Sequence, residues 1–382
     1  MPRWDVSFDL SINTTDPGVV ALVARIHALS RVIRDIPIPP GVQDRIDQLN
    51  ILRAVRGTTG IEGSDLSEQQ VRQVLEAPPG KRVLPASRAR EEKEVRNAEG
   101  VMRYVAELVM RLGDPPLNEN IIRHIHRLTT EGIEYPKNQP GVYRAHDVSV
   151  GEYLPPKGGQ QVRELMPAFV DWFNSGPRLT WDAAVRALVA HFYVISIHPF
   201  GDGNGRTARG IESFLLFKGG INARGFYSLA NFYYRERADY VRMLDHVRFY
   251  SSGDLAPFVL FGLGGLVAEL ESVHDEIIGQ VTLIAFRDFA RETLGTHGKL
   301  GTKPGERMLS FLLDLTSEPV SLRDLRRNRH PLARHYRGVT NKTLARDINF
   351  LTAHELVVIE GDQLIANLAV MTRFVPPFAR KQ

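Results

Sequence analysis

Twelve residues, His198-Pro-Phe-Gly-Asp-Gly-Asn-Gly-Arg-Thr-Ala-Arg209, constrain this chain more than any other stretch. Three glycines within five residues, Gly201, Gly203 and Gly205, stand between a His-Pro pair and two arginines. The apolar run Val194 to Ile197 leads in, and a helical pattern from Ile211 to Phe217 leads out. A glycine-rich loop feeding a helix start aims backbone N–H groups at whatever lies before it, and the helix dipole favours an anion there. Arg206 and Arg209, three residues apart, share one helix face. His198 adds a base, Asp202 a carboxylate and Asn204 an amide. The pattern predicts a phosphate cradle with a metal ligand and a proton acceptor beside it.

The chain has 382 residues, enough for two or three domains with a large core. A net charge of +4 is too mild to imply nucleic acid by itself. The lack of cysteine excludes disulfides and thiolate metal sites, and suits a reducing compartment. The start, Met1-Pro-Arg-Trp-Asp-Val, has no charged-then-apolar leader pattern, and no run approaches the roughly 18 apolar residues of a membrane helix. The expected location is the cytoplasm, with no membrane partner.

Apolar periodicity predicts helices over 18–36, 42–55, 87–112 and 118–131, and a capping box of Ser67 with Gln70 opens another. Between 136 and 160, prolines and glycines alternate with Val148, Val150 and Tyr153-Leu154, which reads as a short hairpin. Helices resume at 161–174, 181–197, 205–218, 233–250 and 254–290. The best linker is Gly295 to Gly305. Beyond it come a helix over 306–315, a short one over 321–326, a longer one over 341–354, and two strands around Gly361-Asp362. That order is that of a winged helix-turn-helix. Arg323, Arg326, Arg327, Arg329, Arg334, Arg337, Lys342 and Arg346 make this part basic, so DNA is a candidate partner and protein docking the alternative.

Every specified position of 198–209 resembles the signature of Fic-domain proteins, His-x-Phe-x-Asp/Glu-Gly-Asn-Gly-Arg-x-x-Arg. The segments Gly141-Val-Tyr-Arg144, Val148-Ser149-Val150-Gly151 and Leu154-Pro-Pro156 are similar to the family's substrate-clamping flap. Val194-Ile-Ser-Ile197 departs from the Phe-Glu-x-Ile of many members. The resemblance covers roughly residues 10–260, and the tail looks like the winged helix often appended. It implies a mainly α fold: a helical extension over 1–115, a core with a hairpin flap over 116–290, and a winged helix over 300–382.

The resemblance further implies transfer of AMP from Mg-ATP to a Ser, Thr or Tyr hydroxyl of a target protein, self-modification included. His198 would then be the base, at an ordinary pKa of about 6.5. Asp202 would hold Mg²⁺. Backbone and amide donors of Gly203, Asn204 and Gly205 would wrap the α- and β-phosphates, and Arg206 and Arg209 would hold the β- and γ-phosphates. Gly205, where one family branch carries lysine and transfers phosphate, points to AMP transfer. Tyr240 matches a family tyrosine near the adenine, although Val241 stands where the next is expected.

Thr58-Thr-Gly-Ile-Glu62-Gly63 matches a second family motif, Ser/Thr-x-x-x-Glu-Gly/Asn, whose glutamate pairs with the second signature arginine. Here that implies an inhibitory pair of Glu62 with Arg209. Two other readings stay open: a nucleotide-sensing DNA-binding regulator, and removal of AMP by the same site with Glu62 positioning water. A second copy of the chain is a candidate partner in controlling Glu62. Gly262-Leu-Gly264-Gly265 is too weak for a dinucleotide fold, and no His-x-x-x-His cluster supports a metal hydrolase.

Overall fold

The computed structural model describes residues 5–221, 229–315 and 318–374. Parts of the expected C-terminal domain, 316–317 and 375–382, lie outside them. The chain forms two compact units, Met1–Asp275 and Glu276–Gln382. The first contains α1 (Pro17–Asp35), α2 (Pro40–Ile61), α3 (Glu68–Glu76), α4 (Ala89–Leu112), α5 (Glu119–Thr130), α6 (Gln160–Phe173), α7 (Ala183–Ile197), α8 (Asn204–Lys218), α9 (Leu229–Arg235) and α10 (Arg237–Phe249). Next comes α11 (Ala256–Thr296), within which the two units divide. The fold is mainly helical.

The core of the first unit is α7, apolar apart from Arg186, His191 and Ser196 and buried along nearly all its length. A helix of that composition must sit inside the protein. Asp182 caps its start, accepting from the Ala184 amide at 2.9 Å. Phe169 and Phe173 of α6, Phe214 of α8 and Phe258 of α11 are fully buried around it. The capping box expected at Ser67 and Gln70 is present at the start of α3.

Helix α2 runs six residues further than the sequence pattern suggests and ends at Ile61. It passes through Gly57, where a β-carbon would lie 2.6 Å from the Ala230 carbonyl carbon and the Asn231 amide of α9. Close backbone approach, not chain breaking, is the reason for glycine there. The extension makes Glu62 the residue that closes α2.

Within the expected hairpin flap, the described residues show an antiparallel bridge of Val150 with Tyr153, closed by two 2.9 Å hydrogen bonds around Gly151. Pro155 and Pro156 have no N–H to extend the ladder. Arg144 holds this segment instead. Its guanidinium donates to the carbonyls of His198 at 2.7 Å, His146 at 2.8 Å and Pro156 at 2.6 Å.

The expectation that no segment has the length and apolarity of a membrane helix is corrected by α11, 41 residues long, which meets both criteria. More than half of its apolar window is buried within the protein, where Phe258, Val259, Leu263, Leu266 and Leu270 are fully enclosed. A core helix of this length passes the same test.

The second unit holds the end of α11, then α12 (Lys303–Asp314), β1 (Val320–Ser321), α13 (Leu322–Arg326), α14 (Asn341–Ala353), β2 (Val357–Glu360) and β3 (Gln363–Ala366). The three strands form an antiparallel sheet in the order β1-β3-β2. Phe286, Ala290 and Leu294 of α11 pack into this unit's core with Phe311, Leu351 and Leu364. The unit therefore begins inside α11, ahead of the Gly295–Gly305 segment where the sequence suggested a boundary.

Candidate active site

His198 closes α7 in the left-handed region, at φ 52°. Pro199 disfavours a right-handed helical conformation in the residue before it, and histidine is among the few side chains that tolerate the left-handed one. Its Nδ1 lies 3.2 Å from the Ile195 carbonyl oxygen, which can only accept. Nδ1 therefore carries the proton, and Nε2 keeps a lone pair. Burial, aided by the charges of Arg144 and Arg248, lowers the His198 pKa to about 4 against the opposing pull of the Ile195 carbonyl and Glu62. The imidazole is neutral at neutral pH, as a base must be.

The following loop is tied from both sides. Asn204 accepts from the Phe200 amide and donates to the Phe200 carbonyl, each at 2.9 Å. Its buried amide thus holds the loop, with one of its two N–H donors already given to Phe200. His126 on α5 stacks flat on Phe200 at 3.7 Å. Its Nδ1 accepts from the Gly141 amide at 2.8 Å, so Nε2 carries the proton and donates to the Asp202 carbonyl at 3.0 Å. His126 thereby joins the base of the flap to the signature loop.

Gly203 takes φ 73° and precedes α8. A β-carbon there would lie 2.6 Å from Thr130 Cγ2, so shape and backbone both require glycine. The Gly203 amide donates to Asp202 Oδ1 at 2.5 Å. No side chain caps α8. The N–H groups of Asn204, Gly205 and Arg206 therefore open the helix at its positive end.

Both signature arginines are buried and already paired. Arg206 lies 3.2 Å from Glu94 of α4 and 3.4 Å from Asp202, with its guanidinium 5.4 Å from the centre of the Tyr135 ring. Tyr135 donates its hydroxyl proton to Glu94 at 2.8 Å. Arg209 donates to Thr58 Oγ1 at 2.9 Å, to the Thr58 carbonyl at 3.2 Å and to Glu62 Oε1 at 2.5 Å. Glu62 Oε1 rests against the α-carbon of Gly205, in the space a β-carbon would take. A carboxylate thus sits at the mouth of α8. Burial alone would raise the Glu62 pKa, but the charges of Arg209 and Arg206 outweigh it and hold the carboxyl below its ordinary range.

Asp202 keeps 41% of its side chain exposed at this mouth. Among the described residues, no cluster of three His, Cys, Asp or Glu side chains could cage a metal by itself. A single open carboxylate beside an anion-binding helix end suits Mg²⁺, which takes one or two protein carboxylates and completes its shell with water and phosphate oxygens.

Tyr240 packs as core. It is 4% exposed, stacks on Tyr233 at 4.5 Å and bonds through its hydroxyl to His191 Nε2 at 2.8 Å. His191 in turn meets the buried Glu212 at 2.7 Å. Tyr240, expected near an adenine, thus ends a buried polar chain through His191 to Glu212. In the flap, Val148 is half-buried, while Ser149, Val150 and Gly151 are exposed. The flap is fixed to the end of α7 through Arg144 and through Tyr153, whose hydroxyl donates to the Ser196 carbonyl at 2.7 Å.

Residues 116–216 match the Fic/DOC family. All of 198–209 falls inside the match, and Glu62 lies outside it. Over 204 residues, 53% of this chain and 37% of the relative, the sequence is 31% identical to protein adenylyltransferase fic-1 of Caenorhabditis elegans. It is 28% identical over 217 residues to protein adenylyltransferase Fic of Aedes aegypti, covering 57% of this chain and 40% of that one. The matched region thus spans well under half the length of these curated relatives. A solved structure of Fic-1 from C. elegans superposes with a TM-score of 0.55 at 26% identity, covering 68% of this chain and 72% of that one. A Fic family protein from Desulfovibrio desulfuricans covers 93% of this chain and 97% of its own with a TM-score of 0.53, and its 21% identity speaks for the fold alone.

Glu94, Tyr135 and His126 are absent from the sequence reading, and Arg144 enters it only as a letter of the flap pattern. Glu94 and His126 sit on helices where a polar residue reads as a solvated face, and the fold alone reveals what they touch.

Proposed function

We propose that this chain is a protein adenylyltransferase whose own α2 restrains it. It moves AMP from ATP to a hydroxyl of a target protein, and to itself when released. The observation that carries this reading is the neutral His198, with Nε2 available, beside the uncapped start of α8. The names of the curated relatives support the same chemistry.

In this reading the hydroxyl oxygen attacks the α-phosphorus, its proton passes to His198 Nε2, and the bond from the α-phosphorus to the bridging oxygen of the β-phosphate breaks. Pyrophosphate leaves. The N–H groups at the start of α8 face the charge that develops, where one preorganised donor is worth about 3 kcal/mol. Arg206 and Arg209 grip the outer phosphates with forked donors. Asp202 would hold Mg²⁺, which neutralises phosphate charge when bound.

Glu62 opposes this in two ways. It occupies the Arg209 fork, and it places negative charge against Gly205. Poor placement of the α-phosphate is costly because the transfer depends on in-line geometry. The proposal is tested by incubating Glu62→Gly protein with ATP labelled at either the α- or the γ-phosphate. Label retained from the α-position alone, and absent in Glu62→Gly/His198→Ala, is the expected result. Label from the γ-position would replace AMP transfer with phosphate transfer.

The removal of AMP by the same site is the second reading, favoured by the Glu62 carboxylate that stands against Gly205 at the start of α8. Release of AMP from a modified protein, lost in Glu62→Gly, would support it. For residues 300–382 we propose a winged helix-turn-helix, on the order of α12, β1, α13, α14 and the β2–β3 hairpin. The exposed Arg323, Arg326, Arg327 and Arg329 make duplex DNA a proposed partner, tested by whether binding weakens steeply with salt.

A further inference from the structure

Two histidines of the second unit meet edge to edge. His297 directly follows α11, and His354 closes α14. Their Nε2 atoms are 3.0 Å apart. His297 Nδ1 lies 2.9 Å from the Thr293 carbonyl oxygen, and His354 Nδ1 lies 2.7 Å from that of Phe350. A carbonyl oxygen accepts only, so both Nδ1 atoms carry protons. Each neutral ring then has its lone pair on Nε2, and the two lone pairs share one small space. Such a pair is repulsive unless a cation lies between the nitrogens.

The helix ends around the pair favour that cation, against the opposing charge of Lys299, whose Nζ lies 5.6 Å from the centre of the Phe350 ring. Both rings sit at helix C-termini, the negative ends of the helix dipoles. The backbone carbonyls on Nδ1 fix the tautomer and ring direction, as the outer partners of metal-bound histidines do. Phe350 packs against both rings, with centroids at 4.1 Å from His354 and 5.8 Å from His297. The ring centres of the two histidines are 4.1 Å apart, further than their Nε2 atoms, so the rings converge on the shared edge. Metal–nitrogen bonds of about 2.05 Å put two cis nitrogens roughly 2.9 Å apart at a right angle and roughly 3.3 Å apart at a tetrahedral one. The observed spacing falls between them.

We propose that His297 and His354 form a two-histidine site for a divalent first-row transition-metal cation. It is separate from the proposed Mg²⁺ position at Asp202, where the donor is an oxygen suited to a harder ion. Among the described residues, no third His, Cys, Asp or Glu makes this a protein-built cage. Water completes the shell, and the site clips α11 to α14 within this unit.

The test is calorimetric titration of the full, tag-free chain with Ni²⁺ and with Zn²⁺, beside His297→Asn and His354→Asn. Asparagine keeps a donor in place of Nδ1 and removes Nε2. The expected result is one equivalent bound by wild type, weakened at least tenfold in each variant, with all three proteins melting alike in EDTA. Equal binding in wild type and variants, or none in wild type, overturns the proposal. A second measurement needs no variant: histidine ¹H–¹⁵N spectra of wild type with Zn²⁺. The Nε2 resonances of residues 297 and 354 should shift together, and a pair that only shares a proton would leave both unmoved and overturn the site.

Discussion

Glu62 and Arg209 meet at 2.5 Å across 147 residues of sequence, and the same guanidinium donates its Nε to Thr58. The hydroxyl and the carboxylate that engage Arg209 stand one helical turn apart at the end of α2. With Glu62 at 32% side-chain exposure, the ion pair is worth about 1 kcal/mol, well short of the several expected of a fully buried one.

Thr58→Val keeps the branched shape and removes the acceptor of the Arg209 Nε. A hydrogen bond to a charged group is worth about 1.5–3 kcal/mol, part of which returns when Arg209 finds another partner. The expected outcome is AMP transfer raised above wild type and below Glu62→Gly, with a lower melting temperature. Rates of self-modification and thermal melts of the three proteins check it.

His198 and His126 both have pKa values lowered to about 4, in each case chiefly by burial. Unfolded histidine titrates near 6.5, so between pH 6.5 and 4 the unfolded chain binds more protons than the folded one. Stability is therefore complete above that window and falls as pH drops through it. The melting temperature should decline from pH 6.5 to 4, less steeply in His126→Asn. In Glu62→Gly, kcat/KM should hold through pH 6 and fall only as His198 gains its proton. An acid limb centred at 6.5 would contradict a buried neutral base.

Gly203→Ala should cost more than about 1 kcal/mol, since it combines a left-handed backbone with a contact against Thr130. Adding Thr130→Ser removes the methyl in contact but leaves the backbone cost. The double variant should therefore recover part of the lost melting temperature. Full recovery would mean that crowding alone requires glycine.

The glycine-rich turn of 198–209 that feeds α8 is legible because its glycines, arginines and His-Pro break fall within a short window, whereas Glu62 is singled out only by the resemblance of 58–63 to a second family motif. The capping box at Ser67 was likewise legible within a short window. The true length of α2 was not, since Gly57 and Gly60 read as breakers until α9 is seen against them. Neither the bonds of Asn204 to Phe200 nor the burial of Tyr240 against Tyr233 is legible in the sequence, because both depend on how the loop and the helices pack. His126 and Glu94 were invisible because their partners, Asp202 and Arg206, are more than seventy residues away in the chain.

Arg144 is the buried cation that ties the segment around His146 and Pro156 to the turn at His198. Arg144→Lys retains the charge but not the fork that reaches three carbonyls. In a Glu62→Gly background it should lower kcat at least tenfold and lower the melting temperature, because the backbone of His198 loses its support. Unchanged kcat would assign Arg144 to stability alone.

We propose that Glu62 restrains AMP transfer by holding Arg209. Intact mass of wild type and of Glu62→Gly, each incubated with Mg-ATP, tests it most directly. The expected result is a gain of one AMP on Glu62→Gly, at a rate at least tenfold above wild type, which corresponds to roughly 1.4 kcal/mol of restraint. No gain is expected in Glu62→Gly/His198→Ala. Equal modification of wild type and Glu62→Gly would contradict the restraint, and a gain of one phosphate in place of AMP would contradict the chemistry.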